Sequence, residues 1–476
     1  MKKHLWLFIG IIVFAAMLII PAPSSLTPIS WHMLAVVMLM TILWISESIE
    51  LGITALLPIV LFPILGITPF EKVTLQYGNE TIFLFMGGFM LALALEKSRI
   101  HERFALHCIR IIGGSPARVI LGFMLVIFIL SMWVSNTAAV LMIIPVCIAV
   151  VKRLEEQAGE NNRETVRQFS KALYLSLAYA ASIGGIATLV GTPPNIVLTA
   201  IVNQQANIQI SFVHWMIFAF PFALTLLIIV WLFLSQIVMN KSARNLSINT
   251  LQITEELDNL GPMSTHEKRV AITFFCVVLL WIVRGLVPWS FFYSISDTTV
   301  AIAGAIALFM IPCKGKSGDR LLDWKTASHL PWNILLLFGG GLALSQGFAA
   351  SGLSESIVEL IRQMNNINLI VLIFIISFVT VVMTELMSNT ATATLLIPIS
   401  LSVATALSIN PLLLAVPVAI SSSLAFMLPV STPPNAIVFS YGYISIKEMA
   451  CIGIAINLVG LILTTLFCYF YMPLVL

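Results

Sequence analysis

Long apolar runs recur from one end of this 476-residue chain to the other, and that pattern decides the solvent in which it folds. One run could anchor a soluble body. Repeated runs with few charges between them leave only a bundle of membrane helices, because lipid offers no partner for backbone amides and carbonyls. Charged residues make up 9% of the chain, against about 25% in an average soluble domain.

Candidate spans cover 5–20, 31–49, 52–65, 81–95, 172–201, 212–239, 270–287, 298–312, 333–350, 411–441 and 450–474, about eleven in all. Two further stretches, 117–151 and 367–407, are each long enough for two helices but carry polar triplets near the middle. The opening Met1-Lys2-Lys3 and the run after it resemble a signal peptide, yet Pro21-Ala22-Pro23-Ser24 makes a poor cleavage site, so a retained first span is expected.

Basic residues thread these segments through the membrane. With the N-terminus in the cytoplasm, Lys97, Arg99, Arg103, Arg110 and Arg118 follow the fourth span, up to the start of the first interrupted stretch, and Lys152, Arg153, Arg163, Arg167 and Lys171 come after that stretch. Basic flanks at both ends make 117–151 a re-entrant hairpin that enters and leaves on one side. Lys241, Arg244, Lys268, Arg269 and the segment 314–325 then also fall inside, with Lys72, Arg284 and Arg362 as single exceptions. Continuing the thread puts both ends of 367–407 outside. The two hairpins thus approach from opposite faces, as in inverted-repeat transporters.

Self-similarity supports that division. Ser131-Met132-Trp133-Val134-Ser135-Asn136-Thr137-Ala138, running on to Ile144-Pro145, matches Thr384-Glu385-Leu386-Met387-Ser388-Asn389-Thr390-Ala391, running on to Ile397-Pro398, in constant register. Gly191-Thr192-Pro193-Pro194-Asn195 matches Ser431-Thr432-Pro433-Pro434-Asn435, and Gly87-Gly88 more weakly matches Gly339-Gly340. The expected organisation is two N-terminal spans (1–50), a first repeat (51–239), a polar linker (240–269) and a second repeat (270–476). Each repeat carries a hairpin (117–151, 367–407) and a broken helix (172–203, 411–441). The fold class is an all-α polytopic membrane protein with two inverted-topology repeats.

A Pro-Pro pair inside a span removes two backbone donors, so the helix must stop and restart there. The amides and carbonyls so freed have to line a protein cavity. Thr192 and Thr432 are the expected caps, with proline next. Helix N-termini at the midplane suit anionic groups, and carbonyl ends suit a hard cation such as sodium. Ser, Asn and Thr at the hairpin tips add neutral donors and acceptors. Their duplication fits a ligand with two acidic groups. A lone Ser-Asn-Thr would be ordinary helix–helix glue; two copies in register, each beside a Thr-Pro-Pro-Asn break, are not explained that way.

Other chemistry finds little support. Six cysteines stand singly, without metal-ligand or disulfide spacing. A net charge of +3 without a basic stripe gives no footprint for nucleic acid. Gly315-Lys316-Ser317 ends like a P-loop but has Met310 where the first glycine belongs, and His101-Glu102 has Ala105 where a second histidine would stand. Glu385, opposite Met132 of the first repeat, is either a cation-sensing group or a local cap for its hairpin.

With paired Ser-Asn-Thr and Thr-Pro-Pro-Asn motifs in inverted repeats, the chain resembles the divalent anion/sodium symporter (DASS) family over essentially its whole length. The resemblance implies one sodium site from Ser131, Ser135, Asn136 and the Gly191 carbonyl, and another from Thr384, Met387, Asn389 and Ser431. It implies substrate carboxylates at Asn136, Thr137, Thr192, Ser388, Asn389, Thr390 and Thr432. It also implies a homodimer in the inner membrane that moves its substrate domain as an elevator, with sodium as coupling ion and no other cofactor. The expected activity is sodium-coupled transport of a succinate-class dicarboxylate. The alternatives are a dicarboxylate or citrate exchanger, a sulfate carrier and, from a different class, an anion channel. A channel would want rings of charge rather than broken helices with neutral tips.

Overall fold

The computed structural model describes residues 2–112, 114–157, 162–246, 260–287, 295–313, 319–362 and 368–476. Among these residues the only β-structure is an isolated bridge between Pro312 and Arg320. Nine described helices are long and apolar enough to cross a membrane, and five shorter apolar helices accompany them. Residues 247–259 of the expected linker 240–269, the triplet Gly315-Lys316-Ser317 and Ile367 lie outside the described residues.

Both interrupted stretches are helical hairpins. Pro116–Ser131 and Asn136–Gln157 form the first, and Leu369–Leu386 and Asn389–Ala406 the second. Each tip ends in a serine that starts the return helix. Ser135 Oγ accepts from the Ala138 amide and Ser388 Oγ from the Ala391 amide, which is how a serine N-cap satisfies an orphan donor.

The broken helices run Arg163–Ile186 then Pro193–Ala206, and Leu412–Ser421 then Pro433–Phe439. The prolines occupy the first helical turn after each break, where a missing amide costs nothing. The unwound backbone therefore lies before them, at 187–192 and 422–432. Capping differs between the halves. Thr432 Oγ1 accepts from the Asn435 amide at 3.3 Å, whereas the Thr192 side chain makes no cap bond.

After each break the chain crosses to the other half. Pro193–Ala206 packs on the return helix of the second hairpin, and Pro433–Phe439 packs on Arg163–Ile186 and on the return helix of the first. Close approach is bought by small residues. A Cβ on Gly184 would run into the Phe128 backbone, and one on Gly341 would lie 2.6 Å from Thr394 Cγ2.

Some elements differ from the sequence expectation. The span expected at 52–65 forms two short helices, Leu51–Thr54 and Leu57–Ile64, because Pro58 restarts the chain within it. Amphipathic helices precede both hairpins, Ile100–Ile112 and Leu353–Arg362; in the sequence the first is visible only as a basic cluster.

Ion pairs tie the helix ends together. Lys97–Asp323 (2.5 Å) and Arg103–Glu267 (3.1 Å) each join segments that the basic-residue pattern assigns to a single side, and Lys171–Glu448 (3.0 Å) ties the first broken helix to Ile446–Leu466. The Lys97 hydrogen bond holds the Asp323 carboxyl down at about 2. Arg284, an exception to the pattern, is 3.4 Å from Asp297, so its charge is matched locally.

Candidate functional site

In the first half the hairpin tip closes on the break. Ser131 is fully buried, and its Oγ lies 2.7 Å from both Asn136 Oδ1 and the Ala181 carbonyl oxygen. The glycines of the broken helix bring further oxygens to the same place. A Cβ on Gly185 would stand 2.7 Å from Asn136 Oδ1 and 3.1 Å from the Gly191 carbonyl, and one on Gly191 would stand 3.0 Å from the Ser131 carbonyl. Ser131, Asn136 and Gly191, expected together from sequence, are thus one cluster, with Thr192 at its edge. Ser135 is exposed, and both its hydroxyl and its carbonyl serve the following helix.

The second half repeats the joint. Thr384 Oγ1 lies 2.7 Å from Asn389 Oδ1 and 2.6 Å from the Ser422 carbonyl oxygen. Met387 is buried and links the two hairpin helices. Ser431 Oγ donates to the Leu428 carbonyl at 2.6 Å, and so belongs to the break itself.

Each break is held open by its asparagine. Asn195 Nδ2 reaches the carbonyls of Gly185 (3.1 Å) and Thr188 (2.7 Å), and Asn435 Nδ2 reaches those of Ala425 (3.0 Å) and Leu428 (3.1 Å). The positions correspond in register. Unwound carbonyls buried in a protein need donors, and the final residue of each Thr-Pro-Pro-Asn motif supplies them. This structural role for Asn195 and Asn435 was not read from the sequence, although the motif contained both.

The halves differ at Glu385, which is 5% exposed. Its Oε1 accepts from the amides of Phe426 (2.8 Å) and Met427 (2.9 Å) and from Asn457 Nδ2 (2.7 Å), while Oε2 accepts from the Leu428 amide (3.2 Å). The carboxylate caps the unwound segment of the second broken helix, 41 to 43 residues further on, and not its own hairpin locally. The first half makes this joint without charge, through Thr188 Oγ1 donating to the Met132 carbonyl at 2.5 Å.

Polar groups remain uncommitted around both tips. The hydroxyls of Thr137, Thr192 and Thr390 and the amide nitrogens of Asn136 and Asn389 make no hydrogen bond among the described residues. The Ser388 and Thr432 hydroxyls accept from backbone amides and keep their protons free to donate. Within hydrogen-bond chemistry, the arrangement offers neutral donors to an anion and clustered oxygens to a small hard cation.

Residues 1–476 match the family described as the sodium:sulfate symporter transmembrane region. The sodium-dependent dicarboxylate transporter SdcS of Staphylococcus saprophyticus is 40% identical over 471 residues, covering 98% of this chain and 91% of its own. SdcS of Staphylococcus aureus is 41% identical over 474 residues, covering 99% and 91%. Among solved structures, the YdaH transporter of Alcanivorax borkumensis aligns with a TM-score of 0.59 at 14% identity, over 85% of this chain and 88% of that one. MtrF of Neisseria gonorrhoeae aligns at 0.57 and 12% identity, over 84% and 83%. At such identities these two share the fold alone. The full-length family match and the relatives at about 40% identity establish that this multi-pass chain belongs to the sodium:sulfate symporter family, the divalent anion/sodium symporters that its duplicated motifs resemble, whose members are transporters and not enzymes.

Proposed function

We propose that the protein carries a four-carbon dicarboxylate across the plasma membrane by sodium symport, with one sodium site in each half and the substrate between the two tips. The observation that carries this reading is the oxygen surplus beside each Asn. Ser131 Oγ and Thr384 Oγ1 each face two oxygens within hydrogen-bond distance, yet a hydroxyl has one proton to give. Three oxygens sharing one proton suit a cation. Turning the amide over would let Nδ2 donate to the hydroxyl and remove the surplus; a bound sodium ion would hold the amide as it stands.

Ser131, Asn136 and the Gly191 carbonyl form the first cation site in this reading, with Ser135 contributing only from the tip. Thr384, Met387, Asn389 and Ser431 form the second. Asn136, Thr137, Thr192, Ser388, Asn389, Thr390 and Thr432 offer neutral donors to the two carboxylates, a capture weaker than Arg forks and suited to release. The naming of the SdcS relatives as sodium-dependent dicarboxylate transporters supports the same ligands. The reciprocal packing of each half-helix on the opposite hairpin suits motion of both tips as one body, the elevator reading, in a homodimer.

Energetics constrain the coupling. Bringing a dianion into an inside-negative cell costs about 2.3 kcal/mol per charge per 100 mV; two sodium ions, one in each half, cancel that cost and leave uptake to be driven by the sodium gradient. The test is succinate uptake into proteoliposomes with an inward sodium gradient and no internal anion. Sodium-dependent accumulation is expected; uptake only after internal dicarboxylate is loaded would make the protein an exchanger.

A further inference from the structure

The second break is gripped from a helix that carries none of the motifs. Asn457 lies in Ile446–Leu466, near the end of the chain, and is 5% exposed. Its Nδ2 donates to Glu385 Oε1 at 2.7 Å, and a carboxylate only accepts, so the amide nitrogen has to face it. The Asn457 oxygen is left buried with no hydrogen-bond partner among the described residues. Leaving such an atom unsatisfied is costly, which marks an orientation set by Glu385 and not by packing.

One turn earlier, Gly453 lies against the backbone of Phe426 and Met427, with no room for a Cβ. Residues four apart share a helix face, so Gly453 and Asn457 present a single surface to the unwound segment. Gly453 lets the helix come close, and Asn457 completes the shell of Glu385. The Tyr179 hydroxyl, from the first broken helix, donates to the Phe426 carbonyl at 3.1 Å. The residues so fixed, 426–428, lead directly into Ser431-Thr432-Pro433. On the other side of the carboxylate, Glu385 is the chain neighbour of Thr384.

We propose that Asn457 is a positioning residue of the second cation site, acting through Glu385: it holds the carboxylate that fixes both Thr384 and the segment leading to Ser431. This rests on the sodium-symport reading above. The first half has no charged counterpart, so the effect belongs to one of the two sites.

The test uses the full-length protein in proteoliposomes and measures the sodium concentration for half-maximal succinate uptake, with hydrogen–deuterium exchange of 424–432 read on the same samples without sodium. In Asn457→Leu, exchange at 426–428 is expected to accelerate and half-saturation by sodium to rise roughly threefold to tenfold, with a smaller change in maximal rate. Asn457→Ser covers the case in which the leucine variant fails to fold. Its shorter side chain keeps a hydroxyl donor but cannot reach Glu385 as the amide does, so exchange at 426–428 and half-saturation by sodium should shift in the same direction and by less.

Unchanged exchange at 426–428, or a loss of maximal rate with sodium half-saturation unmoved in both Asn457 variants, would overturn the proposal. Succinate uptake by the wild type that ignores sodium would instead overturn the symport reading, and this inference with it.

Discussion

Thr384 stands over Asn389, hydroxyl oxygen to amide oxygen at 2.7 Å, and Ser131 stands over Asn136 at the same distance. Two segments of the chain, one in each half, have built one joint twice. In each, a hydroxyl on the ingoing helix of a hairpin meets the first residue of the outgoing helix and a backbone oxygen of its own broken helix.

Removing the hydroxyl from this joint should weaken sodium and leave the fold intact. Thr384→Ser is expected to retain sodium half-saturation near wild type, and Thr384→Val to raise it by roughly tenfold, the weight of one hydrogen-bond-strength contact. Sodium titrations of succinate uptake distinguish the two. Equal behaviour of serine and valine would remove Thr384 from the cation site.

The two asparagines are expected to be indispensable. Asn136→Ala and Asn389→Ala should each abolish uptake, because each loses both a cation oxygen and a substrate donor. Cys451→Ala, an exposed position, should transport normally. Uptake counts in the three variants at matched reconstitution decide it.

Crowding at the first site predicts a steric sensitivity. A Cβ on Gly185 would press on Asn136 Oδ1, and one on Gly191 would come within 2.5 Å of the Gly185 carbonyl. Gly185→Ala and Gly191→Ala should each cost about 1–3 kcal/mol of stability by overpacking and eliminate uptake. Gly78→Ala, with nothing within 4 Å of its Cβ, should do neither. Thermal unfolding in detergent alongside uptake separates these outcomes.

Arg103 joins three points of the chain: Glu267 at 3.1 Å, and the Gly261 and Leu260 carbonyls at 2.7 and 3.2 Å. Glu267 also closes a capping box with Ser264. Arg103→Ala strands a largely buried carboxylate and should destabilise the protein by about 2–4 kcal/mol, whereas the double variant with Glu267→Gln should recover part of that loss. Thermal melts of the single and double variants make the cycle. Additive losses would show that the ion pair contributes nothing.

Glu385→Gln should be harsher than its size suggests. A carboxamide can accept at one oxygen only, so part of the shell of three amides and Asn457 would face a donor. A loss of about 1–3 kcal/mol and of uptake is expected, read by the same melts and flux assays.

Much of this protein was legible before any coordinates. Lipid forces every backbone group into local pairing, so apolar length gave most of the helices, and basic flanks gave the first hairpin. Proline chemistry is local too, which is why the restarts at Pro193 and Pro433 lie where the motifs put them. The motif repeat identified Ser131 with Asn136, and Thr384 with Asn389, because contacts five residues apart are short-range.

Tertiary structure decided what depends on residues distant in sequence. Nothing near Glu385 announces that its partners are amides 41 to 43 positions away and an asparagine 72 positions away. Nor could Thr192 and Thr432, alike in motif, be told apart as an uncommitted hydroxyl and a cap. The amphipathic helices before the hairpins escaped notice because charge on one face hides the apolar period on the other. Which oxygens gather around a cation is a question of how two broken helices fold back on two tips, and that is fixed by close packing at glycines such as Gly185, Gly191 and Gly453, not by any pattern along the chain.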